Sequence, residues 1–348
     1  MRSKLFSMDT TLQQPTHKTL PAGYPRGRRL RRTQVLRDLV ADIELRPSDF
    51  ISPYFIIPGQ AQQIPVTSMP GVFQWSEDLL IQNVAADLAH GIKAVMLFGV
   101  PEIVHKSDTG HHAASPTGLV QSATRALKKT FGDELVVMTD TCLCEYTDHG
   151  HCGLIKNSQI LNDPSIQQLV EIALSQAEAG ADFVCPSDMM DGRIGVIRDA
   201  LDRHGFAHVA IMAYAVKHAS AFYGPFRDAA GSAPQFGDRK SYQMDARRNA
   251  KEALAEATQD EAEGADILMV KPATPNLDIL HQVSQQSLLP IAAYQVSGEY
   301  AMIKAAGLNG WINEDAVALE TLTSIKRAGA NLIVSYYASQ IARLLSKH

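Results

Sequence analysis

The chain carries a repeating pattern in which a helix-like stretch ends at a glycine and an apolar run begins two or three residues later. Four joins of this kind occur, at Gly91, Gly180, Gly264 and Gly329. Glycine tolerates the left-handed backbone conformation that ends a helix, and a short loop then leads into a strand. The runs are continuously aliphatic rather than alternating, which is typical of strands covered on both faces.

Eight apolar runs are predicted to form strands, and amphipathic stretches between them are predicted to form helices. The strand candidates are residues 54–57, 94–98, 135–138, 182–185, 209–212, 267–270, 290–294 and 332–334. Apolar residues at helical spacing occur at residues 77–89, 118–131, 165–179, 247–263 and 314–328. Eight strand–helix alternations predict an α/β protein with a (β/α)8 TIM barrel, while a doubly wound open sheet is the alternative.

Residues 1–50 lie outside this alternation and are predicted to form an N-terminal extension or arm. Residues 51–348 form the predicted barrel, which is the catalytic domain, and no second domain is expected. Five arginines lie between positions 26 and 32. Because they fall within the extension, we interpret them as part of an arm at a subunit contact or as a solvated segment.

The composition narrows the functional classes. Hydrophobic residues make up 45% of the chain and charged residues 20%, which is ordinary for a globular protein with a large core. The net charge of −5 disfavours a general nucleic-acid binder. No apolar run is long enough for a transmembrane helix, and the first twenty residues lack the apolar stretch of a secretory signal. We therefore expect a soluble, cytoplasmic protein.

Two lysines occupy positions where a barrel enzyme carries its chemistry. In a (β/α)8 barrel the active site lies at the carboxyl ends of the strands, and Lys217 and Lys271 each directly follow an apolar run. A single lysine at a strand end is usually a solvated residue, but two that converge on one barrel mouth affect each other. Burial and a neighbouring ammonium group both lower a lysine pKa, so that a neutral amine can attack a ketone and form a Schiff base.

Three of the four cysteines lie within eleven residues of one another, at Cys142, Cys144 and Cys152. In a chain without a secretory signal, such crowding suggests a metal site more than disulfides. Three thiolates can hold a zinc ion and leave its fourth position open, which is the catalytic arrangement. The alternative is a closed structural site completed by His149 or His151. Cys185 lies inside a strand pattern and is interpreted as a buried apolar residue.

A long connection rich in glycine, proline and serine follows Lys217, at residues 222–239. Loops of this length in compact domains are often lids. Arg227 and Arg239 within it could bind a substrate carboxylate through charge-assisted hydrogen bonds. The alternative is that both are surface arginines that balance Asp228 and Asp238.

From about residue 25 to the C-terminus, these segments together resemble the porphobilinogen synthase (delta-aminolevulinic acid dehydratase) family. Residues 140–152 are similar to the metal-binding segment of its zinc-dependent bacterial members, as opposed to members in which aspartates replace the cysteines. Residues 264–273 resemble the signature around the family's Schiff-base lysine. The resemblance implies that two molecules of 5-aminolevulinate condense to porphobilinogen with loss of two waters, an early step of tetrapyrrole (heme) biosynthesis.

The resemblance also implies a role for each matching residue. Lys271 would bind the substrate that forms the propionate side of the product, and Lys217 the substrate that forms the acetate side. The implied further residues are Arg227, Arg239 and Gln243 around the second substrate, Ser297 and Tyr336 at the carboxylate of the first, Asp140 and Ser187 in support, Cys142, Cys144 and Cys152 for catalytic zinc, and Glu256 for allosteric magnesium. A homo-octamer, in which the arm embraces a neighbouring subunit, is also implied.

The chain departs from the family pattern at three positions. Ala213 and Ala215 stand where serines are expected, and Asn276 stands where the signature usually ends in an aromatic residue. None of these changes removes an implied catalytic group. Two other functions stay open on the residues: a class I aldolase, which needs one imine-forming lysine and no cysteine site, and a zinc-stabilised barrel that serves as a binding protein.

Overall fold

The computed structural model describes residues 25–346 and divides the chain into two compact units, with the boundary between Glu44 and Leu45. The described part of the first unit contains a 3-10 turn at Gly27–Arg31 and helix α1 at Gln34–Leu39. The hydroxyl of Thr33 caps this helix by accepting a hydrogen bond from the backbone N–H of Leu36. The division falls six residues before the predicted boundary at residue 50.

The second unit contains a closed barrel of eight parallel strands. They are β1 (Phe50–Ile56), β2 (Ala94–Gly99), β3 (Val136–Thr141), β4 (Phe183–Pro186), β5 (Ala210–Lys217), β6 (Ile267–Lys271), β7 (Ile291–Gln295) and β8 (Leu332–Ser335). Each strand pairs with the next, and β8 pairs back onto β1 with Phe50 opposite Ile333. The predicted TIM barrel is therefore confirmed, and the open sheet is excluded because such a sheet does not close.

Helices separate the strands along the described chain. They are α2 (Glu77–Ala89), α3 (Leu119–Phe131), α4 (Asn162–Glu178), α5 (Arg193–Arg203), α6 (Gly224–Ala230), α7 (Ala250–Ala262), α8 (Leu277–Gln286), α9 (Ser297–Leu308), α10 (Glu314–Arg327) and α11 (Ala338–Leu345). Among the described residues, none of these helices is both long and apolar enough to cross a membrane. The glycines at the four predicted joins all adopt positive φ, between 87° and 121°, as the left-handed helix ends require.

Two short antiparallel pairs of strands were not predicted from the sequence. Gln63–Pro65 pairs with Phe73–Trp75, and Leu154–Lys156 pairs with Gln159–Leu161. The long connection after β5 also contains local structure, a 3-10 turn at Ala221–Tyr223 that runs into α6. These additions lie around the barrel mouth, and the barrel itself follows the predicted order.

Candidate active site

The two predicted lysines are neighbours at the carboxyl ends of adjacent strands. Lys217 ends β5 and Lys271 ends β6, and the two residues are paired in the strand register. Only 3% of Lys217 and 7% of Lys271 is exposed. The ring of Tyr214 lies near both amines, with its centroid 5.5 Å from Nζ of Lys217 and 5.0 Å from Nζ of Lys271. The barrel therefore buries two amines at one mouth.

The surroundings of the two amines differ. Nζ of Lys217 donates a hydrogen bond to the backbone carbonyl of Ser187, just after β4. Nζ of Lys271 instead lies over aromatic rings, at 4.2 Å from the centroid of Tyr294 and 5.3 Å from those of Tyr223 and Phe226. Burial lowers the pKa of Lys271 to about 7, and the positive charge of Lys217 contributes to this shift. A large fraction of Lys271 is therefore neutral near pH 7.

Both lysines line one small cavity with about 20 Å³ of free space. Predicted residues that share its wall are Asp140, Cys144, Ser187, Arg227 and Arg239. Burial, together with the charge of Glu145, raises the pKa of Asp140 to about 8, whereas the two lysines and a hydrogen bond from Ser187 oppose the shift. The structure thus brings most of the predicted chemistry to one place.

Glu145 is a site residue that sequence reasoning missed. It lines the lysine cavity, is buried, and lies with its Oε2 3.3 Å from Sγ of Cys144. Burial raises its pKa, and the nearby Cys152 adds to the rise. The sequence offered one signal for Glu145, which is its position between the metal-ligand candidates Cys144 and Cys152.

The three predicted cysteines form a compact cluster directly after β3. Their Sγ atoms lie within 4.8 Å of one another, and the Cys142 and Cys144 Sγ atoms are 3.3 Å apart. Burial raises the pKa of the Cys142 thiol, whereas hydrogen bonds from the other two thiols lower the pKa of Cys152. This buried group of soft donors fits a zinc ion. Cys185 is buried within β4 and lies outside the cluster, as expected.

Neither histidine of the segment belongs to this cluster. Nε2 of His149 lies 3.1 Å from the carbonyl of Asp108, and its Nδ1 accepts from the N–H of His151. Nδ1 of His151 lies 3.1 Å from the hydroxyl of Tyr242, and its Nε2 lies 3.0 Å from the carbonyl of Phe236. All four ring nitrogens are engaged elsewhere, which favours three thiolates over a closed site completed by histidine.

Both predicted arginines line the lysine cavity. Arg239 is 6% exposed and donates from Nη2 to the carbonyls of Gly150 and Ser232. Arg227 lies half-buried on α6, and burial together with the charge of Arg239 lowers its pKa. Nε of each arginine has no hydrogen-bond partner among residues 25–346. Buried guanidinium donors without partners fit an anionic ligand such as a carboxylate.

Three further predicted substrate contacts do not line this cavity. Ser297 Oγ accepts from the N–H of Phe226 at 2.9 Å, which fixes the start of α9 against α6. The hydroxyl of Tyr336 lies 3.1 Å from that of Tyr294, whose ring covers Lys271. Gln243 is 2% exposed, and both polar atoms of its side chain lack partners within the described chain. It lines a different, larger cavity.

That larger cavity, of about 680 Å³, also contains Glu256. Glu256 lies on α7 beside Glu252, Asp191 and Asp245, and burial raises its pKa. None of the residues that line this cavity lines the lysine cavity. Glu256 therefore lies in a different cavity from the two lysines, one that it shares with Gln243.

The three departures from the family pattern are accommodated locally. Ala213 and Ala215 are fully buried in β5, where small side chains pack inside the barrel wall. Asn276 precedes α8, and its side-chain amide donates to the carbonyl of Pro272 at 2.8 Å. These positions leave the lysine cavity intact.

Comparison with known proteins gives a consistent result. The family model described as delta-aminolevulinic acid dehydratase matches residues 24–344. The delta-aminolevulinic acid dehydratase of Bacillus subtilis (strain 168) is 53% identical over 324 residues, covering 93% of this chain and 99% of that protein. The corresponding protein of Streptomyces coelicolor is 50% identical over 331 residues, covering 95% and 99%.

A solved structure extends the likeness to three dimensions. The crystal structure of delta-aminolevulinic acid dehydratase (porphobilinogen synthase) from Toxoplasma gondii ME49, in complex with the reaction product porphobilinogen, superimposes with a TM-score of 0.91. Its sequence is 43% identical, and the match covers 93% of this chain and 92% of that chain.

Proposed function

The chain belongs to the delta-aminolevulinic acid dehydratase family, and on that premise we propose that it condenses two molecules of 5-aminolevulinate to porphobilinogen with release of two waters. The family consists of lyases that carry this name. The observation that carries the proposal is the pair of buried lysines at adjoining strand ends, inside a cavity that also holds two arginines with unpaired Nε donors.

In the proposed reaction Lys271 acts first. Its neutral amine adds to the ketone carbon of the first substrate, a C–N bond forms, and the ketone oxygen leaves as water to give an imine. The carboxyl of Asp140 holds a proton at neutral pH because its pKa is about 8, and it lines the same cavity, so it can protonate the departing oxygen. Lys217 binds the ketone of the second substrate in the same way.

The carboxylates of the two substrates are assigned to different sets of residues. Arg227 and Arg239 would receive that of the second substrate through their unpaired Nε donors, with Gln243 nearby in sequence. Ser297 and Tyr336 would receive that of the first. The free space of about 20 Å³ is far below the several hundred Å³ of ordinary ligand sites, so the segment that follows β5 has to move for substrates to enter.

Cys142, Cys144 and Cys152 would hold zinc, and the donor set of three buried thiols fits it. When bound, the ion would polarise a substrate oxygen or bind the amine of the second substrate. Binding of an allosteric magnesium at Glu256, assembly into a homo-octamer and a cytoplasmic location complete the proposal. These three rest on the family resemblance, together with the separate acidic cavity around Glu256.

The test is a turnover assay with 5-aminolevulinate, in which porphobilinogen is quantified for the wild type and for Lys217→Ala and Lys271→Ala. Lys128→Ala is a matched control, because Lys128 is half-buried and paired with Asp182 at the amino end of β4, the opposite end of the barrel. Turnover in the wild type and in the control, but in neither lysine variant, is expected. A wild type without turnover would instead favour a binding protein. An aldolase would be favoured if only one lysine were essential and the reaction made or broke a single carbon–carbon bond.

A further inference from the structure

The loop that carries the third cysteine is fastened to the segment that follows α6. The N–H of Gln235 donates to the carbonyl of His149 at 3.0 Å, and Nη2 of Arg239 donates to the carbonyl of Gly150 at 2.8 Å. A side chain at Gly150 would place its Cβ 2.3 Å from the carbonyl oxygen of Ala233. The two backbones therefore touch, at a point where only glycine fits.

Side chains extend this contact to the cysteine itself. The hydroxyl of Tyr242 lies 3.1 Å from Nδ1 of His151 and accepts from the backbone N–H of Cys152 at 3.4 Å. The ring of His151 also packs on Phe236, with centroids 4.8 Å apart. Tyr242 packs against the three cysteines. One tyrosine thus contacts the metal-ligand candidates, while its neighbours in sequence, Arg239 and Gln243, are the proposed substrate contacts.

The direction of each hydrogen bond follows from the groups available. The carbonyl of Phe236 can only accept, so Nε2 of His151 carries the hydrogen. In a neutral imidazole Nδ1 is then an acceptor, and the hydroxyl of Tyr242 donates to it. The same hydroxyl keeps its lone pairs for the N–H of Cys152. Tyr242 therefore holds the histidine and the cysteine loop in one arrangement, and neither ring nitrogen of His151 is left for a metal ion.

Arg239 belongs to the same unit. The N–H groups of Tyr242 and Gln243 both donate to the carbonyl of Arg239, at 3.2 and 2.8 Å. A displacement of Tyr242 therefore displaces the arginine and the glutamine with it. Residues 150–152 include the metal-ligand candidate Cys152 and are hydrogen-bonded to the turn at residues 239–243, so neither can shift alone without loss of these hydrogen bonds.

We propose that Tyr242 and His151 are positioning residues that couple metal occupancy of the three cysteines to the seating of the substrate-binding turn at residues 239–243. This rests on the proposed function. Coupling between two bound ligands is reciprocal. If the metal ion raises the affinity for the carboxylate ligand, that ligand raises the affinity for the metal ion by the same factor. His151 acts in this coupling through hydrogen bonds and is not itself a ligand.

The coupling is measured with the full chain, zinc and porphobilinogen. The zinc Kd is determined by chelator competition with and without saturating porphobilinogen, and the porphobilinogen Kd with and without zinc. In the wild type we expect porphobilinogen to tighten zinc binding about tenfold, with the same factor in the reverse measurement. In Tyr242→Phe the factor should fall to about twofold, because one hydroxyl that makes two hydrogen bonds is lost.

Companion variants separate positioning from folding and from ligation. His151→Asn keeps a polar group near Tyr242 and should therefore retain more of the coupling than His151→Ala. Both variants should still bind one zinc ion. Asp148→Ala is the control on the same loop, because Asp148 is exposed and its backbone N–H donates to the carbonyl of Ser107 and not to the turn, so its coupling should equal that of the wild type.

Equal coupling in the wild type and Tyr242→Phe would overturn the proposal, as would loss of the zinc ion in both His151 variants, which would make His151 a ligand. Failure of the proposed function has a different signature. A wild-type chain that binds no zinc at all, or that shows no turnover with 5-aminolevulinate, would contradict the function, whereas zinc bound with a coupling factor of one contradicts only the coupling.

Discussion

The two active-site lysines are chemically distinct because of the atoms that surround each amine. The amine of Lys217 is held by a backbone carbonyl, while that of Lys271 faces the rings of Tyr294, Tyr223 and Phe226. Aromatic rings stabilise an ammonium group less well than full hydration does. Burial among them therefore lowers the pKa of Lys271 to about 7. The amine of Lys271 is therefore available as a nucleophile at neutral pH, which agrees with its proposed role as the first lysine to bind substrate.

This difference predicts where substrate can be trapped covalently. Borohydride reduction in the presence of 5-aminolevulinate should label Lys271 more persistently than Lys217, as shown by peptide mapping. Because the folded pKa lies below that of a free lysine, the protonated fraction falls as pH rises past about 7. The trapping rate at Lys271 should therefore rise between about pH 6 and 8 and then level off, whereas an ordinary lysine would keep gaining until about pH 10. Label found only at other residues would rule out this assignment.

A second prediction concerns the partner lysine. Lys217→Ala should lower porphobilinogen formation by at least about a thousandfold, because the second substrate loses its covalent attachment. Trapping at Lys271 should remain measurable in this variant, since the rings around its amine are unchanged. Its pKa should move upward, because the neighbouring positive charge that helps to lower it is gone. An unchanged pH profile at Lys271 would show that the two amines do not interact.

At the scale of elements, the sequence predicted the barrel because its strands are buried on both faces and its helices are amphipathic. The two three-residue strand pairs, such as Gln63–Pro65 with Phe73–Trp75, are partly exposed and too short to show a period. The lysines and cysteines were identifiable because their residue types are unusual at strand ends. The contacts of Tyr242 with His151 and Cys152 depend on which loops meet in space, and no local sequence pattern encodes that meeting.

The contact between α9 and the segment before α6 gives a prediction for one glycine. A Cβ at Gly298 would lie 2.5 Å from the carbonyl oxygen of Phe222 and 2.8 Å from its Cα. Gly298→Ala should thus push the segment away from Ser297, raise KM and lower kcat/KM by at least about tenfold, because small misplacements of binding groups are costly.

The matched control for this variant is Gly195→Ala on α5. A Cβ there would make only ordinary contacts, 3.4 Å from the Glu263 side chain, and alanine favours the helix by about 1 kcal/mol. Activity should be retained and the melting temperature should rise slightly. If Gly298→Ala keeps wild-type kinetics, the position of the segment before α6 is not what sets substrate binding.

Helix α7 carries the proposed magnesium site, apart from the lysines. Magnesium should raise wild-type activity, and Glu256→Ala should lose that response while its activity without magnesium stays near that of the wild type, because Glu256 does not line the lysine cavity. The measurement is a magnesium titration of the initial rate.

The matched control for this variant is Glu261→Ala, which removes a glutamate from the same helix. Glu261 does not line the acidic cavity around Glu256, and its carboxylate accepts a hydrogen bond from the hydroxyl of Ser287 at 2.6 Å. The control should therefore keep the magnesium response of the wild type. An equal magnesium response in both variants would make Glu256 an ordinary helical glutamate.

At the scale of the whole molecule, the barrel and the cysteine cluster contribute differently to stability. A large cluster of buried aliphatic and aromatic side chains forms most of the core, and a second cluster packs beneath α2 and α3. The cysteines form a separate small cluster on a loop after β3. A small zinc module derives its folding energy from the metal, whereas a core of this size does not need it.

Removal of zinc should therefore abolish chemistry without unfolding the protein. Chelation should eliminate porphobilinogen formation while the melting temperature shifts by no more than about 4 °C, which corresponds to about 3 kcal/mol in a protein of this size. Trapping at Lys271 should persist, because its amine contacts aromatic rings and not the cysteines.

Single replacement of Cys142, Cys144 or Cys152 by Ala should reproduce this behaviour, and Cys185→Ala should remain active because its thiol lies outside the cluster. Full activity in metal-free protein would contradict the catalytic role, and cooperative unfolding on chelation would assign zinc to the structure instead.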